Sequence, residues 1–251
     1  MKRMVCSMIA AFAACSAETG WAGVEFRQHL GRQLSVQHRL VDEDGARFDL
    51  SKAVAETEVI LVPGLFRCDK VCREVRERLA ESLKKVPLTV GKDYRIIFFS
   101  VNPAEPRAAA RQRKQEWLNR FGTGEARSAV HFLLGDEAGV AALARQVGFG
   151  YRIDQASGEY RHPAGCVVLT RERRISRYLL GTRFPPHELE LALRTAASGR
   201  VGREELTAGV LCPDGSWGSQ IVRYTVRILG IGLIVGLLYS MVQGRRNLQG
   251  G

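Results

Sequence analysis

The sequence predicts an α/β domain in which buried strands alternate with helices. Residues 59–62 (VILV) and 94–101 (YRIIFFSV) are continuous apolar runs, as expected for strands that are covered on both faces of a sheet. A stretch with helical character follows each run, over residues 71–85 and 107–121. This alternation is typical of parallel β-α-β units.

Residues 1–22 have the composition of a secretory signal. A basic start precedes an apolar segment rich in alanine, and that segment is shorter than the roughly 20 residues that a bilayer requires. We expect cleavage after Ala17 or after Ala22. Residues 12–15 (FAAC) resemble a lipoprotein box in which Phe replaces the usual Leu, so lipidation of Cys15 is an alternative.

The first elements of the mature chain are a hairpin and a helical turn. Residues 40–50 (LVDEDGARFDL) predict a β-hairpin, because an Asp-Gly turn signal separates two short apolar pieces. Residues 51–58 predict a short helical turn. The central strand at 59–62 then ends at Pro63–Gly64, which we interpret as a tight turn, and a helix begins at residue 71.

The remaining elements follow from the same periodicities. The strand at 94–101 ends at Asn102–Pro103, and the helix at 107–121 has its apolar residues on one side. Further strands are predicted at 131–134, 151–154, 166–170 and 175–180, and further helices at 137–147 and 185–198.

The order of these elements predicts a particular fold. Parallel β-α-β units followed by an antiparallel hairpin and a packing helix are the plan of thioredoxin. The sequence therefore predicts a thioredoxin-like α/β fold over residues 23–200, with an N-terminal β-hairpin and insertions.

The C-terminal part predicts a linker at 201–220, a transmembrane helix at 221–243 and a short basic tail at 244–251. The apolar stretch has an uncharged core of about 15 residues, which snorkelling arginines extend to about 20. The arginines of the tail favour a cytoplasmic C-terminus, whereas Arg223 and Arg227 oppose it. With a signal in front, the domain is expected to face the periplasm, anchored in a bacterial inner membrane.

The net charge of +11 suggests an anionic neighbour. Lys and Arg are spread through the predicted helices and no nucleic-acid motif is present. We therefore interpret the charge as a solvated basic surface and expect no nucleic-acid partner. The 251 residues suffice for one medium domain with accessory segments.

Two of the six cysteines predict the functional site. Cys6 and Cys15 lie in the predicted signal, and the remaining four are too few for a disulfide-stapled scaffold of this size. Cys68 and Cys72 are four residues apart at a helix start. We expect them on one helical face, where the positive end of the helix dipole favours thiolates.

Other candidate residues are given structural roles. We expect Cys166 to be a small buried hydrophobe, His131 to cap or pack a strand, His187 to be solvated, and Tyr178 and Phe184 to be core. Cys212 stays open between a free thiol and an auxiliary ligand.

A Cys68-x-x-x-Cys72 pair follows an apolar strand, and His162–Pro163 lies about ninety residues further along the chain. Several other stretches carry the same resemblance to a known family. These are residues 100–103 (SVNP), 132–136 (FLLGD), 147–149 (VGF), 162–165 (HPAG), 175–181 (ISRYLLG) and 184–186 (FPP), with Leu189 and Leu193. In these the chain resembles the SCO/SenC family, thioredoxin-like copper-handling factors for cytochrome oxidase assembly. The resemblance covers about residues 34–212.

The resemblance implies that Cys68, Cys72 and His162 bind copper, as Cu(I), Cu(II) or both. It also implies a partner, either a cytochrome c oxidase subunit, to which copper is delivered or whose cysteines are prepared, or another copper chaperone. Two thiolates and an imidazole form a soft ligand set that suits Cu(I), and the same cysteines can cycle to a disulfide. The protein is thus expected to be mainly a metallochaperone, and whether it is also an enzyme stays open.

The chain departs from the family pattern at two positions near the site. Asn102 stands where the family usually has Asp, and Asp69 stands where Pro often follows the first cysteine. A carboxylate beside a thiol works against thiolate formation unless the helix N-terminus absorbs its charge. The C-terminal anchor also differs from the N-terminal anchor of well-known members.

Two other functions remain as alternatives. The chain could be a thiol-disulfide oxidoreductase without a stable metal, or an interaction module whose cysteines only staple a loop. His162 distinguishes the chaperone from the reductase, because a reductase needs no distant imidazole. Leu65 argues against a peroxidase, which needs Thr or Ser three residues before its cysteine, and Cys₂His is also a zinc ligand set.

Overall fold

The computed structural model describes residues 23–35, 39–122, 124 and 126–203. The chain divides into the units Met1–Cys212 and Pro213–Gly251, and every described residue belongs to the first. The predicted signal at 1–22, most of the linker, the predicted transmembrane helix at 221–243, the basic tail, Cys15 and Cys212 lie outside the described residues. Within the described ranges, no helix combines the length and the apolar character that crossing a bilayer requires.

The strands of the domain are β1 (Leu40–Val41), β2 (Arg47–Phe48), β3 (Glu58–Gly64), β4 (Tyr94–Ser100), β5 (Val130–Gly135), β6 (Arg152–Ile153), β7 (Tyr160–Arg161), β8 (Gly165–Leu169) and β9 (Ile175–Leu180). A mixed sheet forms the centre of the domain, with its strands in the order β2-β1-β5-β4-β3-β8-β9. The helices are α1 (Leu50–Glu56), α2 (Val71–Leu83), α3 (Arg107–Phe121), α4 (Ala126–Ala129), α5 (Glu137–Gln146) and α6 (Pro186–Ala197).

Helices cover both faces of the sheet, which is why its central strands are apolar without alternation. Ile60 and Val62 of β3 point into a core shared with α2, α3 and α6. Val59 and Leu61 point into the opposite core, shared with α1 and α5. All four side chains are at most 4% exposed. The continuous apolar run therefore reports burial on two faces, as the sequence predicts.

The pairing of the strands confirms the thioredoxin-like plan. β3 and β4 are parallel and joined by α2, and β5 extends the parallel part on the far side of β4. On the other side, β8 is antiparallel to β3, β9 is antiparallel to β8, and α6 follows. The predicted N-terminal hairpin is also present, since β1 pairs with β2 and joins the sheet through β5.

The central strand continues further than the sequence predicts. Pro63 and Gly64 are the last residues of β3 and pair with β4, so the tight turn expected there is wrong. The Gly64 carbonyl accepts a hydrogen bond from the Val101 N–H on the β4 side, so the backbone groups of Pro63 face the opposite side. On that side the pairing with β8 ends at Leu61. Pro63, which lacks an N–H group, therefore removes no hydrogen bond from the sheet.

Several small elements escape the periodicity patterns. The strand expected at 151–154 is only Arg152–Ile153 and forms a separate hairpin with β7, which no pattern predicts. The helix α4 and the start of β5 at Val130 are likewise unpredicted. Elements of two to four residues carry too few side chains for a period to be visible.

Candidate metal centre

Three elements of the fold meet at the carboxyl end of β3. The loop after β3 carries Cys68, the first turn of α2 carries Cys72, and the segment before β8 carries His162. Their ligand atoms all lie within 4.8 Å of one another. The structure thus brings together the three residues that the sequence predicts as a site, although 90 residues separate Cys72 from His162.

The two cysteines do not share a helical face, contrary to the expectation from their spacing. Cys68 lies in the loop before α2, and only Cys72, the second residue of α2, is helical. The helix begins after Lys70, whose backbone (φ −102°, ψ −116°) is not helical. The chain therefore turns between the cysteines, and the Cys68 sulfur accepts hydrogen bonds from the backbone N–H groups of Lys70 and Cys72.

These contacts give the two cysteines opposite protonation preferences. A hydrogen bond from Cys72, helped by His162 and the two backbone N–H groups, lowers the pKa of Cys68 to about 3. Burial, together with the proximity of Cys68, raises the pKa of Cys72 well above its usual range. At neutral pH the pair is thus a thiolate at the partly exposed Cys68 and a thiol at the buried Cys72. The thiolate expected at the helix start is found for Cys68 alone.

His162 is 3% exposed and is oriented by its own backbone neighbourhood. Its Nδ1 lies 2.8 Å from the Pro163 carbonyl oxygen, which can only accept, so Nδ1 donates. The other nitrogen, Nε2, lies 3.0 Å from the Cys72 Sγ. A ring that donates through one nitrogen to a backbone carbonyl and presents the other to thiols has the arrangement that metal-binding histidines adopt.

The segment that carries His162 is fixed by a glycine. Gly165 has φ +143°, and a Cβ on it would lie 2.6 Å from the Leu179 carbonyl oxygen of β9. Any other residue would push β8 away from β9. The close approach therefore depends on the glycine of the HPAG motif and places His162 just before the start of β8.

A buried carboxylate holds the loop that carries Cys68. Glu105 is 6% exposed, and its two oxygens accept hydrogen bonds from the N–H groups of Phe66 (2.8 Å) and Arg67 (2.7 Å). These two donors immediately precede Cys68 and have no partner in a strand or helix. Glu105 thus replaces secondary structure in fixing this loop.

Two arginines bind the carbonyl groups of the same loop. Arg76, one turn after Cys72, donates to the carbonyls of Leu65 (2.9 Å) and Cys68 (3.3 Å). Arg113 of α3 donates to the Phe66 carbonyl at 2.7 Å and to the Asp69 carboxylate at 2.8 Å. Sequence reasoning missed Glu105, Arg76 and Arg113, and only the spacing of four between Cys72 and Arg76 offered a signal.

The ion pair with Arg113 also answers the concern over Asp69. The sequence suggests that this carboxylate opposes a thiolate at Cys68. In the structure the Asp69 carboxylate forms an ion pair with Arg113. Hydrogen bonds to the Cys68 sulfur lower the pKa of Cys68 despite the neighbouring carboxylate. The other departure, Asn102, accepts a hydrogen bond from the Ala104 N–H at 2.9 Å and so shapes the turn that leads to Glu105.

The residues for which the sequence predicts structural roles lie in positions that agree with those predictions. Cys166 and Tyr178 are fully buried, Phe184 is 3% exposed, His131 packs its ring on Phe48 at 4.7 Å, and the His187 side chain is 80% exposed.

The donor atoms fit a soft metal ion. Ligands at about 2.0–2.3 Å from an ion lie about 3.5–4 Å from one another, so small side-chain movements bring the two sulfurs and Nε2 to that spacing. Beside Cys72 and His162 there is a cavity of about 20 Å³, which is about the room that one water molecule needs. Two thiolates and one imidazole select Cu(I) or Zn²⁺ over hard cations such as Mg²⁺.

Comparison with known protein families and with curated proteins gives no match to a family model and no match to a curated sequence.

Solved structures, by contrast, share the fold. A candidate electron transfer protein from Aquifex aeolicus VF5 superposes with a TM-score of 0.60 at 24% identity, over 67% of this chain and 95% of its own. BsSco, a member of the Sco family of cytochrome c oxidase assembly proteins, gives 0.53 at 14% identity, over 68% and 98%. Arabidopsis thaliana ScoI with copper bound gives 0.50 at 19% identity, over 64% and 95%. The fold that the SCO/SenC resemblance implies is thereby confirmed.

Proposed function

We propose that this chain is a SCO/SenC protein that binds copper through Cys68, Cys72 and His162 and acts as a copper chaperone in cytochrome c oxidase assembly. The observation that carries the proposal is the convergence of two sulfurs and an imidazole nitrogen within 4.8 Å, at the end of the central strand. The fold shared with copper-bound ScoI and with BsSco supports it. The sequence motifs that resemble the family, among them the HPAG segment that begins with His162, also support it.

The three residues contribute differently to copper binding. Cys68 offers a thiolate that needs no deprotonation, and its partial exposure places it where an incoming ligand can reach the metal. Cys72 must release its proton, so copper binding is coupled to proton release. The thiolates and the imidazole supply soft, low-coordinate ligation. Exchange with a partner's thiols then begins at the exposed side, at Cys68.

Location and partner belong to the same proposal. The signal-like residues 1–22 and the apolar stretch at 221–243 support a protein anchored in a bacterial inner membrane with its domain in the periplasm. The partner is an oxidase subunit, or another copper chaperone that exchanges copper with it.

A second candidate function is thiol-disulfide exchange. It is favoured by the thiolate of Cys68 next to the thiol of Cys72, since a partly exposed thiolate beside a buried thiol is the arrangement of reactive cysteine pairs. A partner disulfide would be reduced to two thiols while Cys68 and Cys72 become a disulfide. In this case the chain prepares the partner's cysteines and His162 is dispensable.

The substitution His162→Ala distinguishes the two functions. We expect the reduced full-length protein, titrated anaerobically with Cu(I) against a competing chelator, to bind one copper tightly. His162→Ala should lower the affinity at least about tenfold, since it removes a first ligand, and should keep the reversible oxidation of Cys68 and Cys72. Cys68→Ser should lose both properties.

His187→Ala is the matched control, because His187 is an exposed histidine on α6 that is not part of the Cys68, Cys72 and His162 cluster. It should bind copper like the wild type. A His162→Ala protein with unchanged copper affinity would refute the three-ligand site. An absence of copper binding with intact disulfide exchange would establish the reductase instead.

A further inference from the structure

A groove of about 540 Å³ lies between α2 and α3, directly behind the loop that carries Cys68. It is lined by charged side chains of both helices, namely Arg73, Arg76, Glu77, Arg113, Glu116 and Arg120. Its size is that of a binding pocket. Neither copper binding nor thiol exchange uses this groove.

Two of the four arginines are already neutralised. Arg120 pairs with Glu77 at 2.9 Å and with Glu81 at 3.2 Å, so it joins α3 to α2. Arg113 pairs with Glu116 at 2.7 Å and with Asp69. Each of these guanidinium groups has two carboxylates, and we assign them to holding the walls of the groove together.

The other two arginines have no such partner. Among the residues that the structure describes, no carboxylate lies within ion-pair distance of Arg73 or Arg76. Arg73 is exposed, and Arg76 is 7% exposed and donates to the two loop carbonyls. They are three residues apart on α2 and therefore lie on one face of the helix. Burying the Arg76 guanidinium is costly, and the nearby charges of the Cys68 thiolate and Glu116 offset only part of that cost, so an anion in the groove would offset more of it.

We propose that this groove binds an acidic segment of a partner protein, whose carboxylates pair with Arg73 and Arg76. A flat lipid surface cannot reach the buried Arg76. A compact phosphate would be repelled by the glutamates that alternate with the arginines, whereas a polypeptide can offer N–H and hydroxyl donors to them. Bidentate pairing of guanidinium with carboxylate adds geometric selection.

Binding at the groove would present the partner to the metal centre. Arg76 lines both the groove and the small cavity beside Cys72 and His162, and it holds the Cys68 carbonyl. A segment seated on Arg76 therefore lies one side chain away from the metal ligands. The identity of the partner rests on the proposed function, but the binding itself requires no copper.

The test uses the reduced, metal-free full-length protein in mild detergent and a fluorescein-labelled peptide of alternating Glu and Ser. Fluorescence anisotropy should show binding of this peptide and none of the alternating Lys and Ser counterpart. Arg73→Glu should weaken binding about tenfold, since a charge-assisted pair is replaced by repulsion. Arg78→Glu is the matched control on the same helix, because Arg78 lies outside the groove and pairs with Glu74 at 3.7 Å.

Arg78→Glu should leave peptide affinity within about twofold of the wild type, as for an exposed surface charge. Equal loss in both variants would show general attraction to a basic surface and overturn the proposal. So would binding to phosphatidylglycerol vesicles but not to the peptide. If the wild type binds the peptide but no Cu(I), the copper function fails and the groove still stands.

Discussion

At the scale of single residues, the different protonation states of Cys68 and Cys72 follow from how deeply each is buried. Cys68 sits at the helix N-terminus with backbone donors on its sulfur, whereas Cys72 lies one turn deeper against the core. The depressed pKa of Cys68 means that its thiolate stabilises the fold fully above the usual thiol pKa of 9.0, and that this stabilisation is lost as the pH falls towards about 3. In the reduced protein Cys68 therefore carries a negative charge at neutral pH.

The difference in pKa between Cys68 and Cys72 predicts how alkylation of each depends on pH. In the reduced, metal-free protein, iodoacetamide should modify Cys68 at pH 5, where an ordinary thiol is protonated, and the rate should fall only as the pH approaches about 3. Cys72 should stay unmodified under these conditions, because burial raises its pKa and restricts access. Peptide mapping by mass spectrometry measures both rates, with Cys166 as an internal buried control. Equal modification of Cys68 and Cys72 at pH 5 would contradict the assignment.

At the scale of elements, the loop that carries Cys68 is held by residues that are distant from it in the sequence. Its N–H groups bond to Glu105 from the segment after β4, and its carbonyls bond to Arg76 and Arg113 from α2 and α3. The loop is thereby fixed without forming a strand or helix. Residues that hold ligands in this way commonly tune metal affinity.

Glu105→Gln tests this support. The amide nitrogen of glutamine cannot accept a hydrogen bond, so one of the two loop N–H groups loses its partner. We expect the Cu(I) affinity to fall about tenfold, with a less depressed pKa of Cys68 in the alkylation profile. A purely structural role would lower thermal stability without moving either quantity.

Glu43→Gln provides the matched control. Glu43 is also a buried carboxylate, at 4% exposure, and it also accepts a backbone hydrogen bond, from Phe132 at 3.0 Å. It lies in the N-terminal hairpin and pairs with Lys114. Its substitution should destabilise the domain while copper affinity stays at the wild-type value.

At the scale of the whole molecule, backbone hydrogen bonds and one buried hydroxyl connect the N-terminal segment, residues 23–35, to the rest of the domain. Tyr178 of β9 is fully buried, accepts a hydrogen bond from the His29 N–H at 2.9 Å and donates to the Val147 carbonyl at 3.0 Å. Phe26 packs edge-on against the same ring at 5.7 Å. Residues 23–35 therefore belong to the folded domain.

The substitution Tyr178→Phe should measure how much the Tyr178 hydroxyl contributes to the stability of the domain. It leaves a buried donor and a buried acceptor without their partner, at a cost of about 1–3 kcal/mol in the free energy of unfolding. Urea denaturation of the reduced protein gives the value. Tyr160→Phe, at a partly exposed tyrosine that stacks on Tyr151 at 6.0 Å, should change stability by less than about 0.5 kcal/mol.

The fold class could be predicted from the amino-acid sequence, and the resemblance to the SCO/SenC family pointed to the three residues that the structure brings together. The apolar runs of β3 and β4 are long enough to show burial on two faces, and a CxxxC pair with a distant His-Pro is a fairly specific motif. The short elements β7 and α4 show no period and could not be predicted, whereas the equally short β1 and β2 were predicted from the Asp-Gly turn signal between them.

How the site works, in contrast, depends on tertiary contacts. That Cys68 is a thiolate and Cys72 a thiol depends on burial and on donors that the fold supplies. That Glu105, Arg76 and Arg113 hold the loop depends on contacts between segments up to 47 residues apart. Sequence periodicity reports which face of an element is buried, whereas hydrogen bonds between distant segments leave no periodic trace, because one polar residue at one position suffices for each.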